Sequence, residues 1–292
     1  LPDRRDLQSD EEEAMSTAEQ AAKAEAFRAL HRGPPLLLMA NAWDAVTARL
    51  FEAEGFAAVA TTSGGVSWAV GYADGEAAPW DEVVGQTARI AHAVKVPVTA
   101  DIEAGFGATP ADVARSIADI IGAGAVGVNL EDGTPGPVPI RPVDEAVARI
   151  RAARKAASAA GVPIVINART DLYLKQIGDE AGRFDEAVVR GRAYLAAGAD
   201  CFYPIGLRDP ATMGRLVQAL KAPININVRA GWPSVAELEA LGVARVTTAT
   251  QLTLVALAAT RDVARAIKTT GKFDAINPAI AHPEMQQLMA KR

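Results

Sequence analysis

The chain has 292 residues, 50% of them hydrophobic and 22% charged, with a formal net charge of −5. That is enough apolar material for one large core, and mixed charge without a basic stripe argues against nucleic acid as a partner. No apolar run is long enough to span a membrane, and the single cysteine, Cys201, precludes an internal disulfide and suits a reducing, cytoplasmic setting.

Residues 1–15 are polar, charged and aperiodic, and read as a flexible leader with Met15 as a natural start. Over 17–32, Phe27 and Leu30 fall at helical spacing, and Gly33-Pro34-Pro35 stops that helix. A beat then sets in of short apolar run, polar loop and amphipathic helix. The runs Leu36–Ala40, Ala57–Thr61, Val96–Asp101, Val126–Leu130, Ile164–Ala168, Cys201–Ile205, Ile224–Val228 and Arg245–Thr248 are predicted strands. Helices are predicted over Pro79–Val94, Pro110–Ala123, Val143–Ala160 and Phe184–Ala197. Alternating strand and helix means parallel strands with right-handed crossovers. Eight such units in about 250 residues have the dimension of a (β/α)8 TIM barrel, assigned to 16–260. An open doubly wound sheet would want a Gly-rich phosphate loop where Asn41-Ala42-Trp43-Asp44 stands. The tail, 261–292, exceeds what closes a barrel. It is expected to be helical, with a short helix near Glu284–Met289, and to pack on the barrel or on a second subunit.

Barrel sites form at the C-terminal ends of the strands. The third run ends in Asp101 and Glu103, which strand alternation turns to one face. Two carboxylates there are costly unless a cation meets them, and a hard divalent ion such as Mg²⁺ takes oxygen ligands and keeps several waters. Glu131 and Asp132 end the fourth run. Ser63-Gly64-Gly65 is either a plain turn or a set of donors for a carboxylate or enolate oxygen. Arg169 offers a bidentate fork to a carboxylate, or neutralises Asp171 or Glu131. The three histidines have no metal-ligand spacing, so a zinc site is not expected.

Ser63-Gly64-Gly65, the later Asp74, Asp101-Ile-Glu-Ala-Gly-Phe-Gly107, Leu130-Glu131-Asp132 and Asn167-Ala-Arg-Thr-Asp171 occur in this order on a barrel frame. Together they resemble the isocitrate lyase / phosphoenolpyruvate mutase superfamily, from about Phe27 to Thr260. The resemblance implies Mg²⁺ (or Mn²⁺) among Asp101, Glu103 and Glu131, largely through waters, with Asp74 at the metal and the reacting centre. It implies that Ser63, Gly64 and Gly65 hold an α-keto acid, that Arg169 holds a carboxylate, and that Asn227 belongs to the substrate pocket. It also implies a homo-oligomer, dimer or tetramer, since relatives exchange a terminal helix between subunits.

The departures are as informative. The family's lyases carry a Lys/Arg-Cys-Gly-His gating loop after the fourth strand; here Gly133–Pro142 holds four prolines and no Cys, Lys or His. Thr61 stands where relatives often have an aromatic residue, and Arg229 where the lyases have threonine. The enolate half of the site is thus kept and the leaving-group half changed. The expected activity is Mg²⁺-dependent carbon–carbon cleavage or decarboxylation of a small 2-oxo or 2-hydroxy dicarboxylate. Ser63, Asp74 and Arg169 are its catalytic candidates; Thr61, Asn227 and Arg229 join Ser63, Gly64, Gly65 and Arg169 around the substrate. Phosphorus–carbon chemistry on a phosphonopyruvate-like acid and a non-catalytic carboxylate-binding barrel are the alternatives.

Overall fold

The computed structural model describes residues 15–134, 139–277 and 280–290. The leader expected over 1–15 therefore lies outside the described residues, Met15 excepted. Helix α1 (Thr17–Leu30) opens on a reciprocal cap: the Ser16 hydroxyl accepts from Glu19 N–H, and the Glu19 carboxylate accepts from Ser16 N–H. Its Phe27 is pressed against the barrel floor, where a Cβ added to Gly127 would lie 2.8 Å from the Phe27 ring and 2.9 Å from Thr99 Oγ1.

Eight strands follow among the described residues: β1 (Leu37–Ala42), β2 (Val59–Thr61), β3 (Val98–Asp101), β4 (Gly127–Glu131), β5 (Val165–Thr170), β6 (Cys201–Pro204), β7 (Asn225–Asn227) and β8 (Arg245–Thr247). All ladders are parallel, in the order β6-β5-β4-β3-β2-β1-β8-β7. A Phe202–Ile224 bridge joins β6 to β7, so the sheet comes round to a barrel, as the sequence predicts.

The surrounding helices are α2 (Ala45–Ala53), α3 (Ser63–Ala69), α4 (Trp80–Ala93), α5 (Pro110–Gly122), α6 (Val143–Ala159), α7 (Glu180–Ala196), α8 (Pro210–Leu220) and α9 (Val235–Ala240), then α10 (Gln251–Thr270) and α11 (His282–Ala290). Thr109 caps α5 and Pro110 takes its first position, where the missing N–H costs nothing. The α5 face Val113, Ile117, Ile120 is fully buried, as are Ile166 and Ala168 on β5. Each buried Val or Ile contributes on the order of 1.5–3 kcal/mol. Two expectations need correction. Helix α7 begins at Glu180 rather than Phe184, because the Asp179 side chain accepts from Gly182 N–H and caps it. Ser63-Gly64-Gly65 is not a loop but the first turn of α3.

The outer layer between sheet and helices is apolar, whereas the barrel interior is polar. Thr99, Asn129, Asn167, Asn225, Arg245 and Thr247 are all buried. The C-terminal part stands apart from this packing. Only Thr253 of α10 is buried, while Leu254, Val255 and Leu257 are exposed. Helix α11 rests on α2, where Arg49 Nη1 donates to the carbonyls of Leu288 and Met289 at 3.0 and 2.7 Å. Among the described residues no helix is long and apolar enough to cross a membrane.

Candidate active site

The parallel ladders bring one end of every strand to a common mouth. Register aligns Asp101 with Asn129, Glu131 with Arg169, and Arg169 with Tyr203. At the centre, Arg169 is held between two acids: Nη1 lies 2.7 Å from Glu131 Oε2 and Nε lies 2.8 Å from Asp171 Oδ1. The Glu131 contact is an ion pair without good hydrogen-bond alignment, since Oε2 accepts no hydrogen bond. Neither contact uses Arg169 Nη2. Lys175, which the sequence reading did not single out, reaches Asp171 Oδ2 at 3.2 Å.

Asp101 closes β3. Its own N–H donates to Thr61 Oγ1 at 2.8 Å, and its Oδ2 accepts from Ser63 N–H at 3.2 Å. Ser63 opens α3, whose first intrahelical bond runs from Val66 N–H to Thr62 O. The Gly64 and Gly65 N–H groups thus lie in the first turn, where a helix offers donors and a positive dipole end. Glycine is required there by crowding: a Cβ on Gly64 would sit 2.9 Å from Thr250 Cγ2 and 3.1 Å from Asp74 Oδ2, and one on Gly65 only 2.7 Å from Thr62 Cγ2. Asp74, exposed on the following segment, is in this way brought over the α3 start.

Glu103 lies beyond the end of β3, with φ +49°, so simple strand alternation does not place it. Both its carboxylate oxygens accept from Glu76 N–H at 2.9 Å. Among the described residues no three Asp, Glu, His or Cys side chains are grouped so as to hold a metal ion by themselves. Asp101, Glu103 and Glu131 share instead an electrostatic strain. Burial, then the other acids, push the Glu103 and Glu131 carboxyls up to about 8, and burial raises Asp101 against the opposing pull of Arg169. A buried all-oxygen donor set that repels itself fits a hard cation held partly through its waters.

The remaining candidates divide. The Thr61 hydroxyl is buried and occupied by Asp101 N–H. Asn227 Oδ1 accepts from Gly206 N–H at 3.2 Å, which ties the β7 end to the loop after β6. Arg229 is not among the side chains that meet Arg169. It is exposed, 5.8 Å from the Trp232 ring centroid, and lines a cavity of about 630 Å³ with Arg208. Asp132 is structural: fully buried, it accepts from Tyr194 OH at 2.7 Å and Arg190 Nη1 at 3.0 Å. The hairpin after β4 is described only at its base, residues 135–138 lying outside the described residues. There Gly133 bridges Ile140, the Arg141 guanidinium donates to the Gly133 carbonyl, and Lys175 Nζ donates to the Pro139 carbonyl at 2.8 Å.

Residues 27–268 match the phosphoenolpyruvate phosphomutase family, a stretch that takes in every strand and every acid just described. The chain belongs to that family. It is 32% identical to an oxaloacetate decarboxylase of Chromohalobacter salexigens, over 86% of this chain and 87% of the relative. It is 31% identical to the 2-methylisocitrate lyase of Escherichia coli, over 70% of this chain and 69% of the relative. Among solved structures, 2,3-dimethylmalate lyase of the PEP mutase/isocitrate lyase superfamily superposes with a TM-score of 0.81 at 26% identity, covering 92% of this chain and 94% of that one. The superfamily is metal-dependent.

Proposed function

We propose that this family member is a Mg²⁺-dependent carbon–carbon lyase or decarboxylase acting on a small 2-oxo or 2-hydroxy dicarboxylate. The observation that carries the reading is the convergence at one mouth of Arg169, paired to Glu131 and Asp171, with Asp101 and the α3 start. Asp101, Glu103 and Glu131 would hold Mg²⁺ (or Mn²⁺), largely through waters, with Asp74 beside them. Bound there, the ion supplies Lewis-acid polarisation of a 2-oxo acid's keto oxygen and carboxylate.

The chain's own groups do the rest. The Ser63 hydroxyl and the Gly64 and Gly65 N–H groups donate to the oxygen that gains charge as the C3 bond breaks, worth on the order of 3 kcal/mol per donor. Arg169 Nη2 receives a substrate carboxylate. For a 2-oxo dicarboxylate the C3–C4 bonding pair flows into the enolate as CO₂ leaves from the ionised carboxylate, and a proton from Tyr203 or water at C3 gives pyruvate. For a 2-hydroxy dicarboxylate Asp74 or water takes the hydroxyl proton and the C2–C3 pair passes to the other fragment's carboxylate. The 2-oxo acid then leaves as the carbonyl compound, and the fragment that gained the pair takes the proton. Tyr203 is buried beside Arg169, and burial raises its phenol well above its ordinary range, so it keeps its proton at neutral pH but gives it up reluctantly, which favours water as the donor. The test is pyruvate release with Mg²⁺ from oxaloacetate, alkylmalates, methylisocitrate and phosphonopyruvate. Turnover of phosphonopyruvate alone would replace this reading with phosphorus–carbon chemistry.

The hairpin base carries no acid–base group in position to act on substrate: Arg141 is buried against the Gly133 carbonyl and Glu145. Thr134→Ala and Arg141→Ala are expected to change KM more than kcat, because a loop with no proton to donate can limit access but does not control the chemical step. Methylisocitrate should turn over far below the ~10 s⁻¹ median for enzymes. A hundredfold drop in kcat at unchanged KM would mean that the hairpin holds a chemical group.

The exposed apolar side chains of the C-terminal part are too many for an isolated surface. Val255, Leu257, Phe273 and Ile276 are each more than half exposed, and burying such a patch favours association. A cytoplasmic homo-oligomer, dimer or tetramer, covered through α10 and the following segment is the expected state. Light scattering at micromolar protein checks it, and a strictly monomeric mass would overturn it.

A further inference from the structure

Arg245 opens β8 inside the barrel and is fully buried. Among the described residues it forms no salt bridge, and its Nε and Nη1 have no hydrogen-bond partner. An arginine in such a place is expensive: a buried charge is normally paired or coordinated. Nor does its role in the sheet explain it, since any β-forming residue could supply that backbone. What the guanidinium does contact is specific. Nη2 lies 3.4 Å from Asn129 Oδ1, and the same oxygen accepts from Asn167 Nδ2 at 2.6 Å. Strands β8 and β4 stand on opposite sides of the ring in the observed order, so this contact crosses the lumen.

Asn129 and Asn167 are register partners, and one side-chain layer above them Glu131 and Arg169 are register partners too. The amides therefore form the layer beneath the central ion pair. Two donors converging on one amide oxygen leave Asn129 a single orientation.

We propose that Arg245 is a positioning residue of the site: from the barrel floor it fixes the Asn129–Asn167 layer on which the Glu131–Arg169 pair rests. The proposal rests on the reading of the mouth as the catalytic site.

The experiment is a double-mutant cycle with Arg245→Met, Arg245→Lys, Asn129→Ala and Arg245→Met/Asn129→Ala, each checked for fold by circular dichroism and thermal melting. Displacement of a reacting group by about 1 Å costs on the order of a hundredfold. Arg245→Met should therefore lower kcat/KM about a hundredfold. Arg245→Lys, which keeps the charge and loses the fork, should recover about tenfold of that. Asn129→Ala should lose about tenfold, and the double variant should be no worse than Arg245→Met, because residues acting as one unit are not additive. Losses that multiply, or a lysine variant no better than the methionine one, overturn the proposal. If Arg245→Met does not fold, Arg245→Lys decides alone, and activity within about twofold of wild type overturns it. Should wild type release pyruvate from none of the acids, the catalytic reading falls instead. The same cycle is then run on calorimetric binding of oxalate with Mg²⁺, where additive losses of affinity overturn the positioning role and non-additive ones support it.

Discussion

Asparagine at position 101 is expected to cut turnover by on the order of 10³-fold, about 4 kcal/mol, while the protein stays folded. The two halves of this expectation have separate physical grounds. Asp101 Oδ2 accepts from Ser63 N–H at 3.2 Å, and an amide oxygen in the same place can accept that bond. The backbone N–H bond to Thr61 does not involve the side chain at all. The substitution is isosteric, so the ends of β2 and β3 keep their spacing. What disappears is the negative charge. With it goes an oxygen donor to a divalent ion and to the ion's waters, and the Lewis-acid contribution depends on that donor set. Thermal melting separates the halves. A ligand at about 100 times its Kd adds roughly 2.7 kcal/mol of stability, so Mg²⁺ should raise the melting temperature of wild type and leave that of Asp101→Asn nearly unmoved. Full activity of the variant in limiting Mg²⁺ would mean that the metal site has been misplaced.

The frame was readable because its signals are periodic and redundant. Each of the eight predicted strands forms within a few residues of its expected place, since a short apolar run between amphipathic helices has little else to become in a chain this long. The acids at the strand ends were legible for a related reason: a carboxylate at the end of an apolar run is conspicuous. Contacts between loops were harder to read. Ser63-Gly64-Gly65 carries turn-forming residues, yet it is the start of a helix, and the close approach of Thr62, Thr250 and Asp74 is what requires glycine there. Glu103 stands past the strand end, and its direction comes from the Glu76 N–H rather than from the pleat. Arg229 is two residues past Asn227 in sequence, but the chain has left the strand by then and carries it to the cavity it shares with Arg208. Lys175 and Arg245 were missed because an isolated basic residue normally reads as solvated surface. Only alternation along Arg245-Val246-Thr247, with Val246 turned to the apolar layer, could have placed Arg245 in the lumen.

The Arg169 contacts lead to an expectation about stability as well as activity. Methionine at this position fills similar volume but leaves Glu131 and Asp171 as buried acids without the cation between them. Removing one partner of a buried ion pair typically costs about 3–5 kcal/mol, and Lys175 can compensate only at Asp171. At roughly 2–4 °C per kcal/mol for a chain near this size, the melting temperature should fall by about 10 °C, with activity lost. The pH dependence gives the sharper test. Burial and neighbouring acids already push the Glu131 carboxyl from its usual 4.5 up to about 8 in the presence of Arg169, and taking the cation away can only push it further. A carboxyl whose folded pKa lies above its unfolded value favours the folded state below the unfolded pKa, and that contribution is lost as pH rises through the folded pKa. In Arg169→Met the carboxyl holds its proton beyond the wild-type value of about 8. The two proteins therefore lose this contribution in parallel up to that pH, and only the variant goes on losing it above. Without added metal, the gap in stability between wild type and variant should be nearly constant between pH 5.5 and pH 7.5 and widen as pH rises through the wild-type value of about 8 toward pH 9.5, measured by urea denaturation. A gap that is flat with pH, or that widens toward acid, would show that Arg169 stabilises the mouth by packing and that its charge is not what holds Glu131 in place.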